Sequence, residues 1–483
     1  MTSRLRVVSL KKSEEHTSGN PLLRGIPNPM TDEELIRLIA HDPFRDPNWV
    51  DRVASVRRLP DILQSVFVPT PGSLRLARTL FDVLHNGYAR RDPRNHGVWA
   101  NFYEITSDVT YGNAGPCFTD AVAISGITGL GKSHQVSRVL SVIPQTIRHD
   151  NLGGRLSGVT QIVWIYLDMS TANGLEALLL ELLEKIDELL GTQEYRRQYS
   201  GTRINIDRLI NTLIRALKTH FCGILVWDEI QRLNFGLKQA SERVRNLMLK
   251  LLNAGISVVL VGNPLGLQFN EKQGVSAQLI RRLKANGQVR LDPADSSLDE
   301  EWQMLVRGLW RCQILPKRSP LTPAHFDVFF RYTGGFPKFL THLLAYSQQR
   351  AVATGADELT LELIEQAAQS SSMLNEMRPL IDAFVTRDVL ALGAFSDVDV
   401  DYYRKRWGTD NGKRLTTSAL GPHSSAPVKK TQQEVLRKDQ INAKASRTRA
   451  EKKAVTNAPV SAQQNKHLMD EIDKLLKNPP LPS

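Results

Sequence analysis

The stretch Ala121-Val122-Ala123-Ile124-Ser125-Gly126-Ile127-Thr128-Gly129-Leu130-Gly131-Lys132-Ser133-His134 decides the fold. An apolar run runs straight into G-x-x-x-x-G-K-[ST], the pattern of a phosphate-binding loop between a buried strand and a helix. Each residue type has a chemical reason. Gly126, Gly129 and Gly131 let the backbone N–H groups of Ile127, Thr128 and Leu130 turn toward an anion, Lys132 reaches β- and γ-phosphates, and the Ser133 hydroxyl suits Mg²⁺. The helix that begins at Lys132 and continues through His134 aims its positive dipole end at the same anion. A nucleoside triphosphate with Mg²⁺ is therefore the expected ligand.

Outward from this loop the pattern alternates between strands and helices, which implies an α/β domain with a parallel sheet covered on both faces. Strands are expected at 121–125, 161–168, 223–228, 256–261 and 288–291, with helices at 132–142, 174–190, 204–219 and 241–254. After about 295 the strands stop. Helices at 298–312, 322–332, 336–353 and 360–370 have the shape of a lid.

The strand Gly223-Ile224-Leu225-Val226-Trp227 ends in Asp228-Glu229. Paired carboxylates at a strand's carboxyl end lie beside the phosphate loop yet point to different places, so Asp228 can hold Mg²⁺ while Glu229 polarises the attacking water. The next strand delivers Asn263, whose amide either orients that water or forms a turn before Pro264. Lys338, in Gly334-Gly335-Phe336-Pro337-Lys338, opens a lid helix and reads as a phosphate contact or a solvated first-turn residue.

This ordered set resembles the AAA+ ATPases. Gly126 to Ser133 correspond to Walker A, Ile224 to Glu229 to Walker B, Asn263 to sensor 1 and Lys338 to the sensor 2 position, where the family commonly has arginine. The resemblance implies a five-stranded parallel sheet in the order 5-1-4-3-2, a helical lid, and ATP bound between neighbouring subunits. A neighbour's arginine then completes each site, with Arg281 and Arg282 at the expected place. Val68-Pro69-Thr70-Pro71 and His85 to Pro93, with the loop itself and Gln161 to Asp168, further resemble transposition ATPases of the TnsC/TniB type. That resemblance spans about 60–385. It implies a homo-oligomeric ring or filament on double-stranded DNA that links a target-selector protein of the TniQ/TnsD type to transposase subunits. Tyr88, Arg90 and Arg91 are either near the adenine end of the site or in a surface turn.

The chain has 483 residues, 41% of them hydrophobic, enough for two or three domains. Its formal net charge is +12. From Arg404 onward there are 17 Lys and Arg against 7 Asp and Glu, so most of the excess lies in the tail. Phosphate contact requires only basic side chains on one surface and carries little sequence information. Two sources are available: Arg148, Arg155, Arg196, Arg197 and Arg203 around the second strand, and the tail, which is alternatively a solvated charge run or a transposase-docking segment. The expected organisation is a flexible arm at 1–30, a helical region at 31–119 packed on the core, the nucleotide domain at 120–294, the lid at 295–385 and a basic, mostly disordered tail at 386–483. Thr31 is expected to cap the first helix.

Cys117, Cys222 and Cys312 lack metal-ligand spacing and read as reduced thiols of a cytoplasmic bacterial protein, nucleoid-associated when on DNA. Neither a signal peptide nor a membrane span is expected. Three other functions are alternatives. A replication initiator or helicase loader shares core and DNA partner, a signalling scaffold would hydrolyse little, and a small-molecule kinase would need an acceptor pocket.

Overall fold

The computed structural model describes residues 7–10, 19–29, 31–45, 52–95, 119, 121–152, 156–169, 174–199, 205–233, 238–267 and 288–408. Near the N-terminus, β1 (Val7–Leu10) precedes α1 (Asp32–Ile39), α2 (Arg52–Ser65) and α3 (Pro71–Ala89). Thr31 caps α1 as expected: its hydroxyl accepts from Glu34 N while Glu34 accepts from Thr31 N. Thr70 closes a similar box with Ser73 at the start of α3, and Pro71 fills the first helical position, where no N–H is needed.

The nucleotide domain follows in sequence order: β2 (Ala121–Gly126), α4 (Lys132–Ser141), β3 (Thr146–Leu152), β4 (Leu156–Ile162), β5 (Trp164–Asp168), α5 (Leu175–Leu190), α6 (Glu194–Tyr199), α7 (Ile206–Thr219), β6 (Ile224–Asp228), α8 (Lys238–Asn253), β7 (Ser257–Gly262) and β8 (Gln288–Leu291). Five strands form one parallel sheet in the order β5-β6-β7-β2-β8. Counted among these five, that is the expected 5-1-4-3-2, read from the opposite edge. β2, β6 and β7 are buried along their whole length, so they read as continuous apolar runs without alternation. On one face Leu225, Trp227, Val258 and Leu260 pack with Leu178, Leu182 and Ile186 of α5 and Leu213 of α7.

One expected strand is two. The apolar run at 161–168 breaks at Val163, so that β4 pairs antiparallel with β3 while β5 joins the main sheet. Val163 is the crossing point: its N–H donates to Gln145 O (2.8 Å) and its carbonyl accepts from Ile224 N (3.0 Å). β1 adds parallel to β3 and completes a separate three-stranded sheet, β1-β3-β4.

The free N-terminal arm expected at 1–30 is not what the described residues show. Besides β1, Leu22 is fully buried, its carbonyl accepts from Gln161 Nε2 (2.9 Å), and Asn20 Nδ2 donates to Tyr88 O (2.7 Å). Pro21 does not loosen this segment, because it starts a single helical turn capped by the Asn20 side chain. Arg138 of α4 ties the helical region to the core by donating to Ile39 O and Ala40 O, which caps the open end of α1.

The lid comprises α9 (Glu300–Trp310), α10 (Pro323–Thr333), α11 (Pro337–Thr354), α12 (Leu361–Ser370), α13 (Ser372–Glu376) and α14 (Arg378–Val385). The expected boundary at 386 moves outward, since α15 (Val389–Leu392) and α16 (Val400–Arg406) continue the folded chain. The hydroxyls of Tyr402 and Tyr403 both donate to Asp292, each at 2.8 Å, and Tyr403 and Trp407 pack edge-on to Phe384. The rest of the expected tail, 409–483, lies outside the described residues. Cys222 and Cys312 are buried free thiols. Among the described residues no helix is long and apolar enough to cross a membrane.

Candidate nucleotide site

A cleft of about 740 Å³ opens where the carboxyl ends of the strands meet the lid. The phosphate loop forms its floor. Gly129 (φ +94°) and Gly131 (φ +78°) adopt the left-handed backbone that side chains resist, which turns the loop around an anion-sized hollow at the start of α4. Lys132 is 6% exposed, and among the described residues its ammonium group makes one hydrogen bond, to Ile127 O at 3.3 Å. Burial lowers its pKa, while the carboxylates of Glu229, Asp228 and Asp397 act to raise it. A buried ammonium group with donors to spare, facing an open cleft, is a site for an anion.

At the end of β6, Asp228 is 2% exposed, and both of its oxygens are engaged. Oδ1 accepts from Glu229 N (2.8 Å) and Oδ2 from the Tyr166 hydroxyl. Glu229 has φ +55°, a left-handed conformation that costs a non-glycine residue about 1–3 kcal/mol and turns the second acid off the strand line. Its carboxylate lines the cleft and accepts from Gln231 Nε2 (2.7 Å). Gln231 Oε1 in turn accepts from Asn263 N (3.2 Å), linking the acid to the end of β7. Gly262 makes this approach possible, because a Cβ there would meet Ile230 Cγ2 at 2.6 Å.

The structure thus brings together Thr128, Gly129, Leu130, Gly131, Lys132, Ser133, His134, Glu229 and Lys338 along one cleft, with Gly126 and Ile127 leading into the loop and Asp228 behind Lys132. Lys338 N donates to Gly129 O (3.2 Å), so the lid helix α11 starts on the loop itself. The His134 ring lies 5.5 Å from Phe67, and burial followed by the Arg138 charge lowers its pKa, so it serves as a neutral wall. Asn263 stands apart: its Oδ1 accepts from Gly266 N (2.6 Å), the turn-forming alternative, and it is not among the residues lining the cleft. Arg281 and Arg282 lie outside the described residues.

Tyr88 and Arg91 are at the opposite, amino end of the strands. The Tyr88 hydroxyl donates to Phe221 O and Arg91 to Cys222 O, so neither belongs to the cleft. Among the arginines expected at DNA, Arg148 on β3 and Arg196 and Arg197 on α6 are exposed, while Arg155 and Arg203 lie outside the described residues.

Two groups of residues escaped sequence reasoning. Trp302, Leu305 and Leu309, with Val68 of the entry segment, give the cleft an apolar lining suited to a base. Near the phosphate loop, Asp397 Oδ2 accepts from Thr128 N (3.1 Å), and Arg290 and Arg406 also line the cleft. The three acids Asp292, Asp397 and Asp399 had no motif to announce them.

Ser133 and Asp228 fit a hydrated Mg²⁺. Both are hard oxygen donors, Ser133 lining the cleft and Asp228 held by the Tyr166 phenol.

Strand order, loop and paired acids define an AAA+ P-loop domain. Residues 119–269 match the family model of an AAA domain. A search of curated proteins by sequence gives no match. Among solved structures, the Aeropyrum pernix ORC1 protein in complex with DNA is 16% identical, with a TM-score of 0.39, covering 74% of this chain and 83% of that one. The ADP form of the Aeropyrum pernix ORC2 protein is 15% identical at 0.37, covering 64% and 77%. The Thermotoga maritima RuvB Holliday junction branch migration motor is 12% identical at 0.32, covering 60% and 75%.

Proposed function

We propose that the protein is an ATP-hydrolysing switch that assembles on duplex DNA and regulates transposition, linking a target-selector protein to the transposase. The observation that carries the nucleotide part is the meeting of Lys132 and Glu229 at one cleft floored by the phosphate loop, with the buried Asp228 charge acting on Lys132. The transposition part is supported by the TnsC/TniB-like entry segment and loop.

In this reading the loop N–H groups and Lys132 cradle the β- and γ-phosphates, and the apolar lining around Leu305 and Leu309 takes the base. Bound Mg²⁺, held through Ser133 and Asp228, supplies charge neutralisation at the phosphate oxygens. Glu229 accepts a proton from the attacking water once Gln231 releases or reorients its carboxylate. Lys338 reports the nucleotide state to the lid, since its own N–H is bonded to the loop. A neighbouring subunit's Arg281 or Arg282 completes the site, and hydrolysis weakens the oligomer.

Glu229→Gln provides the test. The variant should bind ATP normally, lose hydrolysis by a factor of about 100–1,000 and persist as an assembly on duplex DNA, seen by electron microscopy. Normal turnover in the variant would remove Glu229 from the chemistry. Isolated monomers with duplex DNA and a non-hydrolysable analogue would sink the assembly reading.

A further inference from the structure

β5 alternates strictly between the two faces of the sheet. Ile165 and Leu167 point into the apolar core with Leu225 and Trp227 of β6, so Tyr166 points to the other face, as Asp228 does. In register Tyr166 lies opposite Val226, and Asp168 opposite Asp228. Asp228 is therefore the diagonal neighbour of Tyr166, a separation that an aromatic side chain can span. The hydroxyl completes the span by donating to Asp228 Oδ2, and the Ser133 side chain is near enough to act on the phenol. With Oδ1 accepting from Glu229 N, the Asp228 carboxylate has both oxygens fixed.

We propose that Tyr166 is a positioning residue for the metal site: its hydroxyl fixes the Asp228 carboxylate in the orientation a hydrated divalent cation requires. The inference rests on the nucleotide reading of the cleft. Tyr166 touches neither nucleotide nor water in this role. It acts through the Asp228 carboxylate, as hydrogen-bond partners of metal ligands do, where loss of such a partner weakens metal binding by about 10–100-fold.

The experiment uses the full chain, with Mn²⁺ as a spectroscopic probe of the divalent site. Tyr166→Phe removes one hydroxyl and keeps the ring, so the fold is checked by thermal unfolding. With a non-hydrolysable ATP analogue bound, the Mn²⁺ concentration at half saturation, read by electron paramagnetic resonance, should rise about tenfold. Affinity for the analogue in EDTA should stay the same. In an Asp228→Asn background the Phe substitution should change Mn²⁺ binding little, because both act on one donor set. Unchanged or tighter Mn²⁺ binding by Tyr166→Phe would overturn the proposal, showing that the phenol merely fills the space beside Asp228. An equal loss of metal-free analogue binding would overturn it too, by making the role structural. Failure of the wild-type protein to bind the analogue at all would bring down the nucleotide reading itself, and the proposal with it.

Discussion

Lys132 and Arg91 are both buried cations at an edge of the same parallel sheet, 6% and 8% exposed, yet they are held in opposite ways. Arg91, at the amino end of β6, donates to Gly87 O (3.1 Å) and Cys222 O (2.7 Å), with its guanidinium group 5.0 Å from the Tyr88 ring centre. Two backbone carbonyls hold it, and its Nη2 is buried inside the fold with no hydrogen-bond partner among the described residues. Lys132, at the carboxyl end of β2, has one carbonyl at 3.3 Å and carboxylates beyond it across a cleft. One cation closes the base of the domain and the other waits for a ligand. Burial alone does not mark a functional charge; burial with unused donors facing open space does.

The largest expected effect breaks this pair apart. Lys132→Ala should weaken ATP binding by about 100-fold, the worth of a charge-assisted hydrogen bond to phosphate, with little change in melting temperature. Arg91→Ala should do the reverse. Its two carbonyl partners would be left buried, costing about 3 kcal/mol of stability with nucleotide affinity retained in the folded fraction. Calorimetric titration and thermal unfolding of both variants check this. If Arg91→Ala lost affinity as Lys132→Ala does, the two ends would not be separable.

A smaller effect concerns what already faces the loop. Asp397 accepts from Thr128 N at 3.1 Å, placing a carboxylate near the phosphate hollow, and its charge acts on Lys132. Asp397→Asn removes a negative charge that repels phosphate. Affinity for ATP should rise up to about fivefold, the limit for a half-exposed charge, with the gain reduced at high salt. A loss of affinity in a fluorescence titration would mean that Asp397 supports the loop instead of competing for it.

What could be read ahead of the structure follows the same division between local and distant. The loop, the acids at 228 and 229 and the lid helices were legible because each is a continuous run whose spacing carries its own signal. Sheet order came with the AAA+ resemblance, and pairing bears it out. The break at Val163 was not legible, since an apolar run looks alike whether it serves one sheet or two. The N-terminal segment looked free because its anchors, Gln161 and Tyr88, are far along the chain. Residues 389–407 looked like tail because their partners, Asp292 and Asp295, are about a hundred positions earlier. For Asn263 the motif suggested a sensor or a turn, and the short contact to Gly266 matches the turn.

The smallest effect is a proton. Without nucleotide, burial holds the Lys132 pKa below that of an ordinary lysine. The unfolded chain then binds more protons than the folded one between the lowered value and the ordinary one, so nucleotide-free stability should rise with pH through that window. Phosphate in the cleft reverses the sign by favouring the charged form, which raises the pKa again. Binding ATP in the alkaline window must therefore take up protons at Lys132, and affinity should fall as pH climbs through it. Calorimetry in two buffers of different ionisation enthalpy counts those protons directly. Lys132→Arg, which stays charged, should abolish the uptake, and uptake that persisted in that variant would assign it to another group.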